Sequence, residues 1–585
     1  MFLKRMKPKE GKKRTYWALV KSIRTARGPR HEVVSYLGEK SEWANLARII
    51  NKRPISSMPL FDTPETTEPV PETIEVRVGG ARVERTRDFG NVYLALTLWR
   101  ALELDQLLER IMPDGYGKTP WHIVATILSL ARFCEPSSEL HIADTWYRRT
   151  SLDDLMGVSA DRVNPDRLYR PHDHLLKHKD DIEKHLKQRY TTLFDAQYEL
   201  LLYDVTSTYF EGEAKRNPQA KRGHSRDHRP DCKQVCIGLV VTREGLPVAY
   251  EVFEGNRHDS KTLQEIIETM ESKHGKARRI WVLDRGMVSD ENLQFLRDRD
   301  GQYIVGTPKA TLKSFEKALL EQDWTQVEEG IEVKLRPGPE GNETFILCRS
   351  AARREKEKAM HDRFEKRIEE GLQSLERRLD KAKKKPNRSQ VERQIGRLLG
   401  RNSRAAGLFD VKVIEVERDG AKGFLKMTWT KKDEWREWAE LSEGCYLLRT
   451  NLTDWTAKDL WKTYIQLTQA EAAFRTQKSE LNLRPIRHHK EDRVQAHILF
   501  SFLAYAMWKM LELWMSRCGL GNGPRPLIEE FERIKTNDVV LPTSNGREVR
   551  IRCVTQTDAS PRTLLGRLGL KIPTRLGQPQ WSPDP

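Results

Sequence analysis

The sequence contains few cysteines, and they form no recognisable framework. Seven cysteines are scattered over 585 residues, an odd number without regular spacing. Small secreted proteins that depend on disulfides have denser, paired cysteines. The chain is therefore expected to keep free thiols in a reducing compartment.

Patterns that would direct the chain to a membrane are also missing. The first residues, MFLKRMKPKEGKKR, are basic, but no apolar segment follows them, which argues against a secretory signal. The longest apolar run, ILFSFLAYAMWKMLELWM, contains Lys509 and Glu512 and falls short of a clean span of about 20 residues. This run is predicted to be a buried helix of a cytoplasmic protein, with no membrane partner.

Acidic residues are in short supply relative to basic ones. The chain has 102 Lys and Arg against 85 Asp and Glu, a formal net charge of +17 and a pI of about 9.4. This imbalance favours a polyanionic partner, although a solvated surface on an enzyme indifferent to anions would give the same composition. The length suggests about three or four domains.

Turn signals and changes of composition divide the chain into seven predicted segments. They are a basic β-module at 1–52, a linker with a short strand at 53–85, a helical region at 86–195, a first core part at 196–309, an insertion at 310–440, a second core part at 441–520 and a C-terminal region at 521–585.

The core segment has a distinct predicted order of elements. Strands ELLLYDVTSTYF, QVCIGLVVT and LPVAYEVFEG are followed by a helix, strand RRIWVLD, a second helix with Ser289 as its N-cap, and strand QYIVGTP. This is the order of a ribonuclease H-like core, a mixed sheet with helices on its faces. The predicted fold class is therefore α/β, with a helical region before the core.

The insertion combines two hairpins with a charged helical segment. The hairpins are IEVKLRPGPEGNETFILC and FDVKVIEVERDGAKGFLKMTWT, the second with an Asp-Gly turn. Phe364, Ile368, Leu372, Leu375 and Leu379 form a helical stripe that Pro386 interrupts. The segment is predicted to be a helical hairpin or a coiled-coil arm.

Three acidic residues lie in apolar surroundings, where a charged carboxylate is energetically unfavourable. Asp204 interrupts a strand, Asp284 follows one, and Glu471 is predicted to lie within the apolar stripe of a helix that starts near Thr453. An isolated carboxylate in such surroundings costs several kcal/mol unless its charge is compensated. Taken singly, Asp204 could be structural, Asp284 a cap or turn residue, and Glu471 a surface partner of Arg475.

A shared site for two divalent ions would explain the three acids together. Mg²⁺ prefers hard oxygen ligands, and a pair of ions can activate a nucleophile and stabilise the leaving oxygen of a phosphodiester displacement. A competing zinc site would use His224, His228, Cys232 and Cys236, which follow one another at spacings of four. Pro230 opposes a continuous helix there, so a polar loop is preferred, with His228 and Asp231 at the edge of a site.

The motifs around the acids resemble a known family. YDVTSTYFEG, GHSRDHRPDCKQV, VLDRGMVSDENL and YIQLTQAEAAFRTQKSELNLRPIRHHKEDR are similar to segments of bacterial insertion-sequence transposases of the DDE type. The resemblance covers roughly residues 90–570. It points to the branch with a Tyr-Arg-Glu-Lys signature and a β-rich insertion, matched here by Tyr464, Glu471 and Lys478. Leu467 stands where that branch has the arginine, and Arg475 or Arg484 could replace it.

The resemblance implies roles for individual residues. Asp204, Asp284 and Glu471 would be catalytic and would bind Mg²⁺, or alternatively Mn²⁺. Transposon-end DNA would be contacted by Tyr464, Arg475, Lys478, Arg484, Arg487, His488, Lys490 and Arg493. Target DNA would be a further partner, a homodimer would form in the synaptic complex, and the protein would associate with the bacterial nucleoid.

Two other functions stay open from the sequence. One is a ribonuclease H-like, structure-specific nuclease without strand transfer. The other is a non-enzymatic DNA-binding descendant of a transposase, which the intact acids argue against. A tyrosine recombinase is disfavoured, because no compact Arg and His set accompanies a nucleophilic tyrosine.

Overall fold

The computed structural model describes residues 2–6, 16–25, 28–38, 73–112, 119–338, 341–418, 421–544 and 546–582. The first described strands, β1 (Phe2–Met6), β2 (Tyr16–Thr25) and β3 (Gly28–Gly38), form an antiparallel sheet in that order. β2 and β3 correspond to the two strands predicted within residues 15–38. The Pro-rich linker before residue 73 and the Asp-Gly turn at 419–420 lie outside the described residues.

The predicted helical region follows β4 (Arg82–Asp88). Its helices are α1 (Gly90–Ala101), α2 (Leu104–Ile111), α3 (Trp121–Cys134), α4 (Glu139–His141), α5 (Tyr147–Arg149), α6 (Leu152–Met156), α7 (Pro165–Tyr169), α8 (Pro171–Leu175) and α9 (Lys179–Phe194). Glu103, with φ of 53°, separates α1 from α2.

The core strands and helices occur in the predicted order. They are β5 (Leu200–Tyr209), β6 (Gln234–Thr242), β7 (Pro247–Glu254), α10 (Leu263–His274), β8 (Ile280–Leu283), α11 (Asp290–Arg297) and β9 (Gln302–Gly306). The Ser289 hydroxyl accepts a hydrogen bond from the Asn292 N–H and caps α11 as predicted.

The segment predicted as an insertion contributes both to the central sheet and to a separate layer. Its elements are α12 (Glu316–Leu320), β10 (Thr325–Glu328), β11 (Ile331–Pro337), β12 (Thr344–Ser350), α13 (Ala351–Asp380), α14 (Arg388–Arg401), α15 (Ser403–Ala406), β13 (Phe409–Arg418), β14 (Ala421–Lys431) and α16 (Asp433–Ser442). The predicted stripe on α13 packs with α14 against the β13–β14 hairpin. This confirms the helical hairpin but places it on a two-stranded sheet.

The rest of the chain returns to the core. Its elements are β15 (Cys445–Thr450), α17 (Ala457–Ile465), α18 (Thr468–Ser479), α19 (Glu491–Arg517), α20 (Pro524–Phe531), β16 (Lys535–Pro542), β17 (Glu548–Val554), α21 (Ala559–Leu568) and β18 (Gln580–Trp581). β15 pairs with β9 on one side and with β12 on the other. β16, β17 and β18 form a four-stranded sheet with β4, which joins the strand before the helical region to the last strands of the described chain.

The central sheet is mixed and has nine strands in the order β10-β11-β12-β15-β9-β8-β5-β6-β7. β8 pairs in parallel with both β5 and β9, and the other pairs are antiparallel. One face of the central strands is covered by α10 and α11. The opposite face shares an apolar cluster with α18, α19 and the helical region. The structure is therefore a mixed α/β fold with a large sheet between helical layers.

The long apolar helix α19 connects the sheet to the helical region. It packs against α3, α8 and β7. By length and composition α19 could cross a membrane, but 89% of its apolar window is buried inside the protein. Lys509, within this window, donates hydrogen bonds to Gln469 at 2.9 Å and to Glu512 at 2.6 Å. The helix is buried, as predicted, and its internal charge is compensated.

Gly238 on β6 lies against the ring of Tyr203, and we predict that Gly238→Ala destabilises the protein. An added Cβ would lie 2.5 Å from the Tyr203 hydroxyl, which donates a hydrogen bond to Thr262. Overpacking of this kind lowers the free energy of unfolding by about 1–3 kcal/mol. Urea denaturation monitored by fluorescence measures this loss.

Gly396→Ala on α14 is the matched control. No atom lies within 4 Å of a Cβ at this position, and the residue is helical. Alanine should therefore leave stability unchanged or raise it by up to about 1 kcal/mol. Equal destabilisation by both variants would contradict the proposed contact with Tyr203.

Candidate functional site

Two of the predicted acids lie side by side because of the register of two parallel strands. Tyr203 on β5 pairs with Leu283 on β8, so Asp204 and Asp284 each follow that pair by one residue. The alternate residues Leu202 and Val282 are buried in the apolar cluster shared with α18 and α19. Because side chains alternate along a strand, the parallel register directs both carboxylates towards the face that α18 covers.

Glu471 completes this group from α18, which packs against β5 and β6. Asp204, Asp284 and Glu471 line one cavity of about 430 Å³. Residues that are 187 positions apart in the sequence, Asp284 and Glu471, therefore meet at one site.

The predicted apolar setting of Glu471 is wrong. α17 begins at Ala457 after its Thr456 cap and ends at Ile465, and α18 begins at Thr468. The helical period therefore does not continue from Leu460 to Glu471. The buried residues of α18 are Ala470, Ala473, Phe474 and Gln477, whereas Glu471 is exposed. The break turns the carboxylate out of the core and into the cavity.

Basic side chains share the cavity with the three carboxylates, but none forms an ion pair with them among the described residues. Burial raises the pKa of Asp204 to about 7; the charges of Asp284 and Glu471 add to this shift, while the Val205 N–H and Arg226 oppose it. The Val205 N–H donates to Asp204 Oδ1 at 2.8 Å. Among the described residues, the side chains of Asp284 and Glu471 have no hydrogen-bond or ion-pair partner. Their free oxygens and mutual repulsion fit a site for a hard divalent cation.

Basic side chains on the other wall of this cavity are held by acids that the sequence did not single out. Asp227 accepts a hydrogen bond from Lys478 Nζ at 2.9 Å and pairs with Arg484, while its own side chain is only 2% exposed. Arg226 pairs with Asp259 in the same cavity. The polar loop GHSRDHRPDC was expected to reach the site through His228 and Asp231. It does so through Arg226 and Asp227 instead, since Asp231 pairs with Arg229 at the exposed surface.

The residues predicted to contact DNA fall into three places. Arg475, Lys478 and Arg484 line the acidic cavity. Arg487, His488, Lys490 and Arg493 line a second cavity of about 510 Å³, together with Tyr169 and residues 213–216. Tyr464 lies in neither: it is partly buried, with its hydroxyl against Gly306, and the charges of Asp284 and Glu471 add to the rise that burial causes in its pKa. Leu467 is buried in the apolar cluster, 5% exposed, so an arginine side chain would not fit there without rearrangement.

A second cluster of metal-binding side chain types lies away from the acids. Glu139, His172 and His488 place one ligand atom each within 4.8 Å of one another and could hold a metal ion. Burial, together with the charge of His488, lowers the pKa of His172 to about 3. Burial would raise the pKa of Glu139, but the hydrogen bond and charge of His488 outweigh it and lower that pKa to about 2.

The zinc ligand set considered from the sequence does not converge. Cys236 lies within β6, and its thiol is near the Gly255 carbonyl, whereas Cys232 contacts Arg229 and Asp231. In the part of the chain that the structure describes, the His, Cys, Asp and Glu side chains that come close enough to hold a metal ion are Glu139, His172 and His488.

Comparison with known proteins gives a family match and a distant structural likeness. The sequence matches the family described as Transposase DDE domain over residues 195–507. A cryo-EM structure of a piggyBac transposase synaptic complex with hairpin DNA is similar over 79% of this chain and 81% of that chain, at 8% sequence identity and a TM-score of 0.34. No curated protein matches the sequence. The family match spans more than half of the chain and includes Asp204, Asp284 and Glu471, and the chain therefore belongs to the Transposase DDE domain family, the DDE-type transposases.

Proposed function

We propose that this protein is a bacterial insertion-sequence transposase of the branch with the Tyr-Arg-Glu-Lys signature. It binds terminal inverted repeats, cleaves phosphodiester bonds at the transposon ends and joins the 3′-hydroxyl to target DNA. The observation that carries this proposal is the cavity in which Asp204, Asp284 and Glu471 face basic side chains. The order of strands and helices from β5 to β9 supports a ribonuclease H-like core.

In this proposal Asp204, Asp284 and Glu471 hold Mg²⁺, or alternatively Mn²⁺. Their oxygens are the ligand type that these ions prefer, and a bound cation would oppose the burial and the neighbouring acidic charges that raise the pKa of Asp204. Ions bound there supply activation of water or the 3′-hydroxyl and stabilisation of the leaving oxygen. Arg475, which lines the same cavity without an ion-pair partner among the described residues, binds a phosphate of the scissile strand.

The DNA backbone continues along the segment that links the two cavities. Ile486 in this segment exchanges backbone hydrogen bonds with Tyr209 and Glu211, at 2.9 and 3.0 Å. The basic side chains of Arg487 and Lys490 in this segment, and of Arg493 at the start of α19, face Lys215 and Arg216 across the second cavity. Such a concentration of cations binds phosphates rather than bases and sets the register of the duplex.

In this proposal, two residues of the signature region support the DNA-binding surface from inside the protein. Tyr464 lies against Gly306 and supports the strand ends next to Asp284. His488 faces Glu139 and fixes the basic segment to the helical region. The basic β-module at 1–52 and the helical region at 86–195 bind the transposon ends, the insertion contributes to DNA clamping or pairing of protomers, and a homodimer holds two ends together.

An assay with purified full-length protein and pre-cleaved end DNA tests the function. The ends are taken from imperfect inverted repeats that flank the gene and are bounded by a short direct duplication. We expect joined products in the presence of Mg²⁺. Asp204→Asn, Asp284→Asn and Glu471→Gln should each lower cleavage and joining at least about a hundredfold, since each removes a charged oxygen ligand.

Binding to the ends, measured by gel shift, should survive these three substitutions. Asp231→Asn is the control, because it removes an exposed carboxylate whose contacts with Arg229 and Cys232 lie outside the cavity. Cleavage without joining would support the structure-specific nuclease, and binding without either reaction would support the non-enzymatic descendant. Normal cleavage in one acid variant would remove that acid from the metal site.

Asp227→Asn tests whether Asp227 positions the basic wall of the cavity. The substitution removes the charge that holds Lys478 and Arg484, so we expect cleavage to fall about tenfold while end binding changes little. Single-turnover cleavage measures the effect. In a double-mutant cycle Lys478→Met and Asp227→Asn should be non-additive. Additive effects would show that Asp227 does not act through Lys478.

Arg487→Gln and Lys490→Gln should weaken end binding at every salt concentration. Each lost phosphate contact lowers the slope of log K against log salt by about 0.9 for duplex DNA. Fluorescence anisotropy over a salt series measures this slope. Arg567→Gln, at an exposed position on α21, should leave it unchanged. An unchanged slope in the Arg487 and Lys490 variants would place the DNA elsewhere.

A further inference from the structure

The cluster of Glu139, His172 and His488 joins three separate parts of the chain. Glu139 begins α4, His172 lies in α8, and His488 belongs to the segment between α18 and α19. Glu139 and His172 are buried, and the side chain of His488 is 9% exposed. None of the three lines the cavity of the catalytic acids.

Two of the three separations between the ligand atoms of this cluster are close to those of a tetrahedral metal site. Glu139 Oε1 lies 3.2 Å from His488 Nε2 and 3.6 Å from His172 Nε2. Zinc binds imidazole nitrogen and carboxylate oxygen at about 2.0–2.2 Å, which separates the ligands of a tetrahedral site by roughly 3.3 Å. The two separations lie on either side of that value.

Hydrogen bonding within the cluster leaves His172 unsatisfied. Its Nδ1 is buried without a hydrogen-bond partner, and the 3.6 Å from Nε2 to Glu139 is too long for a hydrogen bond. His172 is only 2% exposed, and polar groups buried to this extent normally have a partner. A metal ion bound by Nε2, Glu139 and His488 would give Nε2 a partner, whereas Nδ1 would remain without one.

A third histidine next to the cluster, His497, already has partners for both ring nitrogens. His497 Nδ1 lies 3.3 Å from the Arg132 guanidinium, and its Nε2 lies 3.2 Å from the Leu483 carbonyl. It therefore has no free nitrogen for a metal. His488 borders the cavity of about 510 Å³ that contains Arg487 and Lys490, so water can reach the fourth coordination position from there.

We propose that Glu139, His172 and His488 bind one transition-metal dication, with Zn²⁺ matching the ligand types and spacing, as a structural site separate from the catalytic acids. The two imidazoles favour Zn²⁺ over Mg²⁺, which prefers oxygen ligands. The ion ties the basic segment around Arg487 and Lys490 to α4 and α8. It thereby orders the surface along which the DNA backbone is proposed to lie.

The test uses the full-length protein with Asp204→Asn, Asp284→Asn and Glu471→Gln combined, which removes the other metal site. After treatment with a chelator and addition of Zn²⁺, mass spectrometry should find about one bound equivalent. Co²⁺ in its place should give the visible absorption of a tetrahedral site. Hydrogen exchange of residues 484–490 should slow when Zn²⁺ is added, because the ion fixes this segment to the helices.

Glu139→Gln and His488→Gln, introduced into the same background, should each weaken Zn²⁺ binding at least about tenfold. His489→Gln is the matched control, since its imidazole is adjacent in sequence but exposed. Zn²⁺ binding that survives both cluster variants, or a protein that binds no Zn²⁺, would overturn the proposal.

X-ray absorption at the zinc edge gives a result that does not depend on whether the variants fold. The loaded protein should show two imidazole nitrogens and further oxygen ligands at about 2.0–2.2 Å. Sulfur in the coordination shell would assign the ion to cysteine and overturn the proposal. Because neither measurement uses DNA cleavage, a failed transposition assay would not be confused with a failed metal site.

Discussion

The parallel pairing of β5 with β8 is the constraint on which the candidate active site depends. Its register sets Tyr203 opposite Leu283 and therefore carries Asp204 and Asp284 to the same level of the sheet. A shift of one residue in either strand would send one carboxylate to the face covered by α10 and α11. Leu202 and Val282 on one face, with Tyr203 and Leu283 on the other, hold this register by burial.

Placing the acids together has an electrostatic cost that the surrounding chain offsets only in part. Burial is the main cause of the raised pKa of Asp204, and the charges of Asp284 and Glu471 add to it. The protein surrounds the acids with cations but pairs most of them with acids of its own, Arg226 with Asp259 and Lys478 with Asp227. These pairs hold basic groups at the cavity without neutralising the three carboxylates. In the proposed reaction, this arrangement leaves the carboxylates free for metal ions and places the basic groups near the phosphates of DNA.

Local patterns predicted most elements, because they depend on periodicity and capping within a few residues. The strands from β5 to β9, the buried helix α19 and the hairpin of α13 and α14 follow such patterns. The prediction for Glu471 was wrong because one helical periodicity was extended across the break between two helices. Glu471 was assigned to the apolar stripe of Leu460, but the turn at 466–467 restarts the helix and changes its face. Similarly, part of the predicted insertion joins the central sheet through the pairing of β12 with β15, a contact between distant residues.

The sequence by itself determined which acids are candidates for the site, since an acid inside or beside an apolar strand is a local feature that needs compensation. It also determined the order of the core elements and the likeness to DDE transposases. Only the tertiary structure decided which side chains share a cavity. Asp227 and Asp259 reach the cavity from two separate segments, before β6 and after β7, and Glu139, His172 and His488 meet from three distant elements. Such meetings depend on long-range packing, which no local spacing in the chain encodes.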